Sequence, residues 1–357
     1  MKLGGEPVGS ATRGRQGPGP GAWGRRAISW SGLALAALVL VGGLPLWLAL
    51  ALCGDLLGAL RGRGAALALT RGLVVLTCFT LAEVWGVGMA TAHLLRGPWM
   101  SDEAWTEAHY RLQRRWAGGL VDAAARLYGW RIHQEGEEVL DGRPMLLLMR
   151  HTSAGDGLMA VRFVNVAHGY RLRFVLKREL LWDPCLDLVG NRIPNAFVRR
   201  DGTDSAAEVA RVGALARDLG RGEGVMLFVE GTRYTPERHA RALARLEREG
   251  PPDLLERARR LRCSLPPRPG GVLGLLEQNP GLDIVICGHV GLESVRRLPD
   301  FLRGALVGTE LHLRFWRYPA AELPGDPEAR VRWLYDRWAE LDAWAWERLS
   351  ARPQATG

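Results

Sequence analysis

His151 and Asp156 are separated by Thr-Ser-Ala-Gly and follow directly on an apolar run, Met145–Met149. A histidine leaving a strand and an aspartate five positions later meet if the loop turns back at the start of the next helix. The carboxylate then accepts a hydrogen bond from one ring nitrogen, fixes the tautomer and leaves the other nitrogen as a base. Such a pair is two-thirds of a Ser-His-Asp triad, with a substrate hydroxyl in place of the serine. An alcohol attacking a thioester under this arrangement needs no nucleophile from the protein. In isolation, the same spacing also describes a solitary histidine and a helix-capping aspartate that never interact.

Three further loops carry polar groups behind apolar stretches. Gly224–Val229 ends in Glu230, Gly231, Thr232 and Arg233. A glycine permits close backbone approach and an arginine supplies a fork of donors, both suited to phosphate. Ala196-Phe-Val precedes Arg199 and Arg200, and Leu265-Pro-Pro267-Arg268-Pro-Gly-Gly271 is a rigid loop leading into a helix. The basic residues number 47 against 38 acidic ones, a net charge of +9, and Lys2 and Lys177 are the only lysines. An arginine-dominated excess fits anionic lipid heads or acidic carriers; it also follows from a GC-rich genome. None of the usual nucleic-acid motifs is present, so no nucleic-acid partner is expected.

The elements that must hold these residues alternate. Met145–Met149, Leu172–Leu176, Gly224–Val229 and Ile284–Cys287 read as buried strands, and 308–318 alternates like another. Helical patterns cover 101–130, 156–168, 203–221 and Asp326 to Leu349. The last carries Trp333, Trp338, Trp344 and Trp346, an aromatic set that suits core packing or a membrane interface. Residues 235–262 form a charged helical insertion with a solvated face. Short apolar strands between helices predict an α/β fold with a mixed, mostly buried sheet flanked by helices.

The first hundred residues differ in kind. Residues 1–26, rich in Gly, Pro and Arg, read as a disordered basic tail. From Ile28 to Leu60 the chain is apolar with Asp55 its only charge, longer than the roughly 20 residues that span a bilayer. A second apolar run from Ala65 to Leu95 contains Arg71 and Glu83, and a carboxylate at that depth must be neutral, paired or turned toward protein. The length of the first run and the presence of a second argue against a cleaved signal peptide. The pattern predicts an N-terminal hydrophobic helical membrane anchor, as two spans or as a monotopic pair. Arginines at 13, 15, 25, 26, 96, 111, 114 and 115 favour a cytoplasmic catalytic domain, whereas Arg61, Arg63 and Arg71 oppose a clean hairpin. The expected organisation is therefore tail 1–26, anchoring helices 27–97, catalytic domain 98–350 and tail 351–357. Five cysteines, with no C-x-x-C and no Cys/His cluster, point away from a disulfide framework or zinc site.

Taken together, HTSAGD, FVRR, FVEGTR and LPPRPGGV, in this order and at these separations, resemble the four sequence blocks of the glycerolipid acyltransferases typified by lysophosphatidic acid acyltransferase. The resemblance runs from about Leu140 to Tyr318. The K-x-x-L at Lys177–Leu180 is similar to the branch that includes lysocardiolipin acyltransferases. The resemblance implies His151 as general base and Asp156 as its orienting partner. It implies Arg200 on the acceptor phosphate, supported by Glu230, Gly231, Thr232 and Arg233, with Pro267 and Arg268 shaping the acyl-donor side. No metal or organic cofactor is implied. Arg199 and the long insertion at 235–262 depart from the family pattern, touching head-group preference and local loop geometry.

The activity so implied moves a fatty acyl group from acyl-CoA or acyl carrier protein to a lysophospholipid, most simply 1-acyl-sn-glycerol 3-phosphate to give phosphatidic acid. The alternatives are another lysophospholipid acceptor, hydrolysis of the thioester, or a catalytically inactive membrane lipid-binding protein. The expected setting is a membrane, the inner membrane in a bacterium.

Overall fold

The computed structural model describes residues 22–62, 66–198, 205–295, 300 and 304–351. In chain order the helices are α1 (Ala22–Gly42), α2 (Leu44–Leu60), α3 (Ala68–Arg96), α4 (Asp102–Gln113), α5 (Gly119–Tyr128), α6 (Asp156–Ala160), α7 (Pro184–Gly190), α8 (Ser205–Gly213), α9 (Pro236–Glu249), α10 (Pro252–Arg259), α11 (Pro269–Gln278) and α12 (Pro327–Ser350). The strands are β1 (Arg131–Glu135), β2 (Met145–Met149), β3 (Arg171–Lys177), β4 (Ala196–Val198), β5 (Glu223–Leu227), β6 (Asp283–Val290) and β7 (Glu310–Tyr318). The chain is an α/β protein with parallel and antiparallel strand pairs. It forms two compact units, both drawing on the segment 98–350: residues 1–131, 157–202 and 294–309 in the first, and 132–156, 203–293 and 310–357 in the second.

The second unit holds the strands in the order β1-β7-β6-β2-β5. β2 lies parallel to β5, with Met145 opposite Gly224, and parallel to β6, with Met149 opposite Cys287. β6 and β7 are antiparallel, Val290 facing His312. Every residue of β2 is buried, as an uninterrupted apolar strand with parallel neighbours on both sides must be. α12 starts at an Asp326 cap that accepts from Ala329 N, with Pro327 in the first turn where its missing N–H costs nothing. It buries Trp338 and Trp344, and Trp344 meets Trp316 of β7 edge-on at 5.5 Å. The tryptophans at 338 and 344 therefore serve the core, whereas Trp346 stays exposed. The charged insertion is two helices: α9 buries no residue and α10 buries only Ala258.

The first unit contains the apolar helices and the parallel pair β3–β4. The apolar run 28–60 is not one helix. It breaks at Gly43, where Pro45 in the first turn of α2 cannot continue the α1 hydrogen-bond ladder. α1 begins at Ala22, so Arg25 and Arg26, read from sequence as tail, are helical and both bind Asp187 of α7, at 2.8 and 2.6 Å. The rest of the tail, 1–21 and 352–357, lies outside the described residues. α1 and the segment Ala68–Trp99 are each long and apolar enough to cross a membrane, and α2 is a shorter apolar helix. The two charges inside the apolar runs have local partners. Asp55 caps α3 by accepting from Leu69 N, Thr70 N and Thr70 Oγ1. Glu83 is buried, accepting from Trp116 Nε1 at 2.9 Å and Cys185 N at 3.1 Å.

Candidate active site

The chain leaves β2 at Arg150 and reaches α6 at Asp156, and the loop between them folds around the Asp156 carboxylate. Asp156 Oδ2 accepts from Thr152 N at 2.6 Å, Ser153 N at 2.9 Å and His151 Nδ1 at 2.9 Å. Oδ1 accepts a short hydrogen bond from Ser153 Oγ. Backbone donors thus fix the acid first, and the imidazole docks on an acceptor that is already oriented. Burial alone would raise the Asp156 carboxyl, but His289, His151 and Ser153 beside it hold it below the usual aspartate range. An ionised acceptor at Nδ1 keeps the proton there and leaves Nε2 as the basic nitrogen. The ring also stacks on Phe228 at a centroid distance of 4.1 Å, which restricts its rotation.

The loop after β5 supports the same histidine from below. Glu230 is buried, and its Oε1 accepts from His151 N at 2.9 Å while Oε2 accepts from Leu265 N at 2.9 Å. One carboxylate therefore joins the H-x4-D loop to the proline-rich loop. Burial pushes Glu230 up to about 8, against the pull of those two N–H groups and of Arg150. Tyr234 N donates to His151 O at 3.0 Å, closing the backbone on the other side. Gly231 adopts a φ of +70°, which favours glycine at this turn, and a Cβ there would stand 3.0 Å from Arg268 Cδ, so the arginine side chain would have to shift. Arg268 is exposed and its N–H donates to Val229 O at 2.8 Å; Pro267 beside it is buried. Thr232 and Arg233 are half-buried, and Arg233 O accepts from Arg238 Nη1 of α9. Of the sequence candidates, then, His151, Asp156, Glu230, Gly231 and Arg268 are interlocked, and Thr232, Arg233 and Pro267 flank them in the same loops. Arg200 lies outside the described residues, as does Arg199.

Three charged or titratable residues without a role in the sequence reading also stand at this site: Arg150, His289 and Glu293. Arg150 Nη1 donates to His289 O and Glu293 Oε1, both at 2.7 Å, and Nη2 donates to Cys263 O at 2.8 Å. Only the position of Arg150 next to His151 could have drawn attention to it. No group of three or more His, Cys, Asp or Glu residues able to hold a metal occurs among the described residues.

Comparison with known proteins bears on this arrangement in two ways. The overall fold is similar to the crystal structure of the 1-acyl-sn-glycerophosphate (LPA) acyltransferase, PlsC, from Thermotoga maritima, with a TM-score of 0.50 and 16% identity over 80% of this chain and 99% of that one. No curated protein matches the sequence. Residues 131–264, the segment that contains His151, Asp156 and the Glu230–Arg233 turn, match the Acyltransferase family model.

Proposed function

We propose that the protein transfers a fatty acyl group from acyl-CoA or acyl carrier protein to the free hydroxyl of a lysophospholipid, with 1-acyl-sn-glycerol 3-phosphate as acceptor and phosphatidic acid as product. The observation that carries the reading is the 2.9 Å contact between His151 Nδ1 and an Asp156 whose carboxyl is held low by His289, His151 and Ser153. His151 Nε2 takes the proton of the acceptor hydroxyl as its oxygen attacks the thioester carbonyl. The tetrahedral intermediate collapses with cleavage of the C–S bond, and the proton passes to the departing thiolate. Asp156 stabilises the imidazolium in between without accepting its proton. Glu230 acts on the backbone of this site, Arg200 binds the acceptor phosphate with Arg233 in support, and Arg268 with Pro267 shapes the acyl-donor side. The lysophosphatidate acceptor is taken from the Thermotoga protein, whose fold this chain shares. α1 and the 68–99 segment, each long and apolar enough to cross a membrane, support a membrane setting, where such an acceptor resides.

The test is acyl transfer from a labelled thioester to a panel of lysolipids by purified protein in vesicles. Thiol release should depend on the acceptor, and His151→Ala should bind the vesicles normally while losing about 10²-fold or more in rate. Release without acceptor would make the enzyme a hydrolase, and full activity in His151→Ala would remove the mechanism.

A further inference from the structure

Behind the His151–Asp156 pair, the ends of β2 and β6 are tied by a reciprocal contact. The Arg150 side chain donates to the backbone carbonyl of His289 at 2.7 Å, and the His289 side chain donates from Nε2 to the backbone carbonyl of Arg150 at 2.8 Å. Both side chains are fully buried. A carbonyl oxygen only accepts, so Nε2 of His289 must carry a hydrogen whatever the charge of the ring. That same N–H faces Asp156 Oδ1 at 3.8 Å, on the side of the carboxylate opposite to His151. His289 Nδ1 has no hydrogen-bond partner among the described residues.

The contact is more than a fastening of two strands. Parallel pairing already aligns Met149 with Cys287, and Arg150 N already donates to Cys287 O at 3.1 Å. What the two side chains add is rigidity one residue further on, at the peptide that introduces His151. Arg150 also reaches Cys263 O at 2.8 Å, in the segment that leads to the proline-rich loop. Its charge is met by Glu293, whose Oε2 accepts from Gly291 N at 2.8 Å. Gly291 sits at φ +142° with Glu310 O 2.8 Å from where a Cβ would stand, so the turn after β6 is fixed by its own backbone.

We propose that His289 is a positioning residue for the His151–Asp156 pair, holding the Arg150–His151 backbone through its reciprocal contact with Arg150 and presenting Nε2–H to the rear oxygen of Asp156. This rests on the reading of His151 as general base. His289 touches no substrate; it acts through Asp156 and the Arg150 carbonyl. The charged and titratable groups around Asp156 are His151, His289, Ser153, Glu230 and Cys287, and those around His289 are Asp156, Arg150 and Glu293. Removing the His289 donor leaves the Asp156 carboxylate less shared. It then holds the His151 imidazolium more firmly, so His151 releases its proton at higher pH.

The test compares His289→Leu, which lacks a donor, with His289→Gln, whose amide can still reach the Arg150 carbonyl. For Leu, kcat should fall by about 10²-fold with KM little changed, the loss expected for a misaimed catalytic group. The acid limb of kcat/KM should move upward by about half a pH unit or more. Gln should recover most of kcat and return the limb toward the wild-type position. If Leu does not fold, His289→Asn, an amide too short to reach, takes its place against Gln and should behave as Leu is expected to. Equal losses in all variants with the acid limb unmoved would reduce His289 to a packing residue and overturn the proposal, as would wild-type kinetics in Leu. The ring of His151, titrated by NMR and assigned by its disappearance in His151→Ala, must show the same upward shift without any substrate. A wild-type protein that transfers no acyl group would remove the transferase reading and leave this titration to decide on His289.

Discussion

Asp156 and Asp183 both sit at the start of a helix, and burial acts on both to favour the neutral acid, yet they end on opposite sides of the ordinary aspartate value. Asp156 lies in the second unit and meets two backbone N–H groups, a hydroxyl and two histidines, and its carboxyl is held low. Asp183 lies in the first unit, where it caps α7 by accepting from Leu186 N at 2.7 Å. Its neighbour is another acid, Glu83, and the two carboxyls hydrogen-bond each other, which requires a shared proton. Burial, with Asp187 nearby, holds Asp183 high against the pull of Leu186 N, the Glu83 hydrogen bond and Cys185 N. Burial sets the size of the stake, and the donors supplied by the loop decide its sign. A loop that spends three of its residues on one carboxylate is built to keep a charge; a helix cap shared between two acids is built to lose one.

Asp156→Asn attacks that contrast where its effect is largest. An amide keeps the size of the side chain but offers one acceptor oxygen where the loop presents three N–H donors and a hydroxyl. His151 loses its anionic partner, and the imidazolium formed during proton transfer goes unstabilised. The expected result is a drop in kcat of about 10²- to 10⁴-fold, with KM for the thioester little altered. Steady-state kinetics on the folded variant check it, and a loss under about tenfold would mean that the carboxylate only caps α6.

Glu230→Gln comes next, and its expected effect is on stability more than rate. Both oxygens of Glu230 accept backbone N–H groups, so the variant sets an NH₂ against one of them, at a cost of about 1–3 kcal/mol. Its pH signature is separate. A carboxyl raised from 4.5 to about 8 binds its proton more tightly in the folded chain, so its stabilising contribution is full below about 4.5 and fades as pH climbs through 8. The melting temperature of wild type relative to Gln should therefore fall over that window. A constant difference would show that Glu230 stays ionised, as Asp156 does.

The parts of this picture legible in sequence are those written locally. Met145–Met149 declared a buried strand because five apolar residues behind a proline have no polar face to offer water, and the Asp326-Pro327 start of α12 is a cap followed by a residue that only a first turn tolerates. The His151–Asp156 contact was legible for a related reason, since its geometry closes within one loop. β1 escaped because Arg-Ile-His-Gln-Glu is an exposed edge strand with no apolar run, and its identity depends on β7 beside it. Gly43 as a break in the first apolar run was readable from Gly42-Gly43 and Pro45 but is masked by the surrounding hydropathy. Arg150, His289 and Glu293 could not be paired from sequence at all. Their contacts span 139 and 143 residues and exist only because the β2–β6 register brings Met149 opposite Cys287.

The smallest effect belongs to Asp183→Asn, and it is the sharpest test of the comparison because almost nothing else changes. Asparagine caps helices about as well as aspartate, so α7 keeps its bond to Leu186 N and the change in stability at low pH should stay within about 0.5 kcal/mol. Replacement by alanine would remove the cap and cost about 1 kcal/mol. With Asn in place, Glu83 no longer competes for a proton with a second acid. Since Asp183 is raised in the folded chain, wild type carries a contribution that is full below the ordinary value of 3.8 and lost as pH rises above it. The variant should accordingly gain on wild type as pH increases from 4, with kcat unchanged, as followed by thermal melts across pH. An Asn variant that loses stability at neutral pH would instead mean that the first unit, like the second, depends on an aspartate charge.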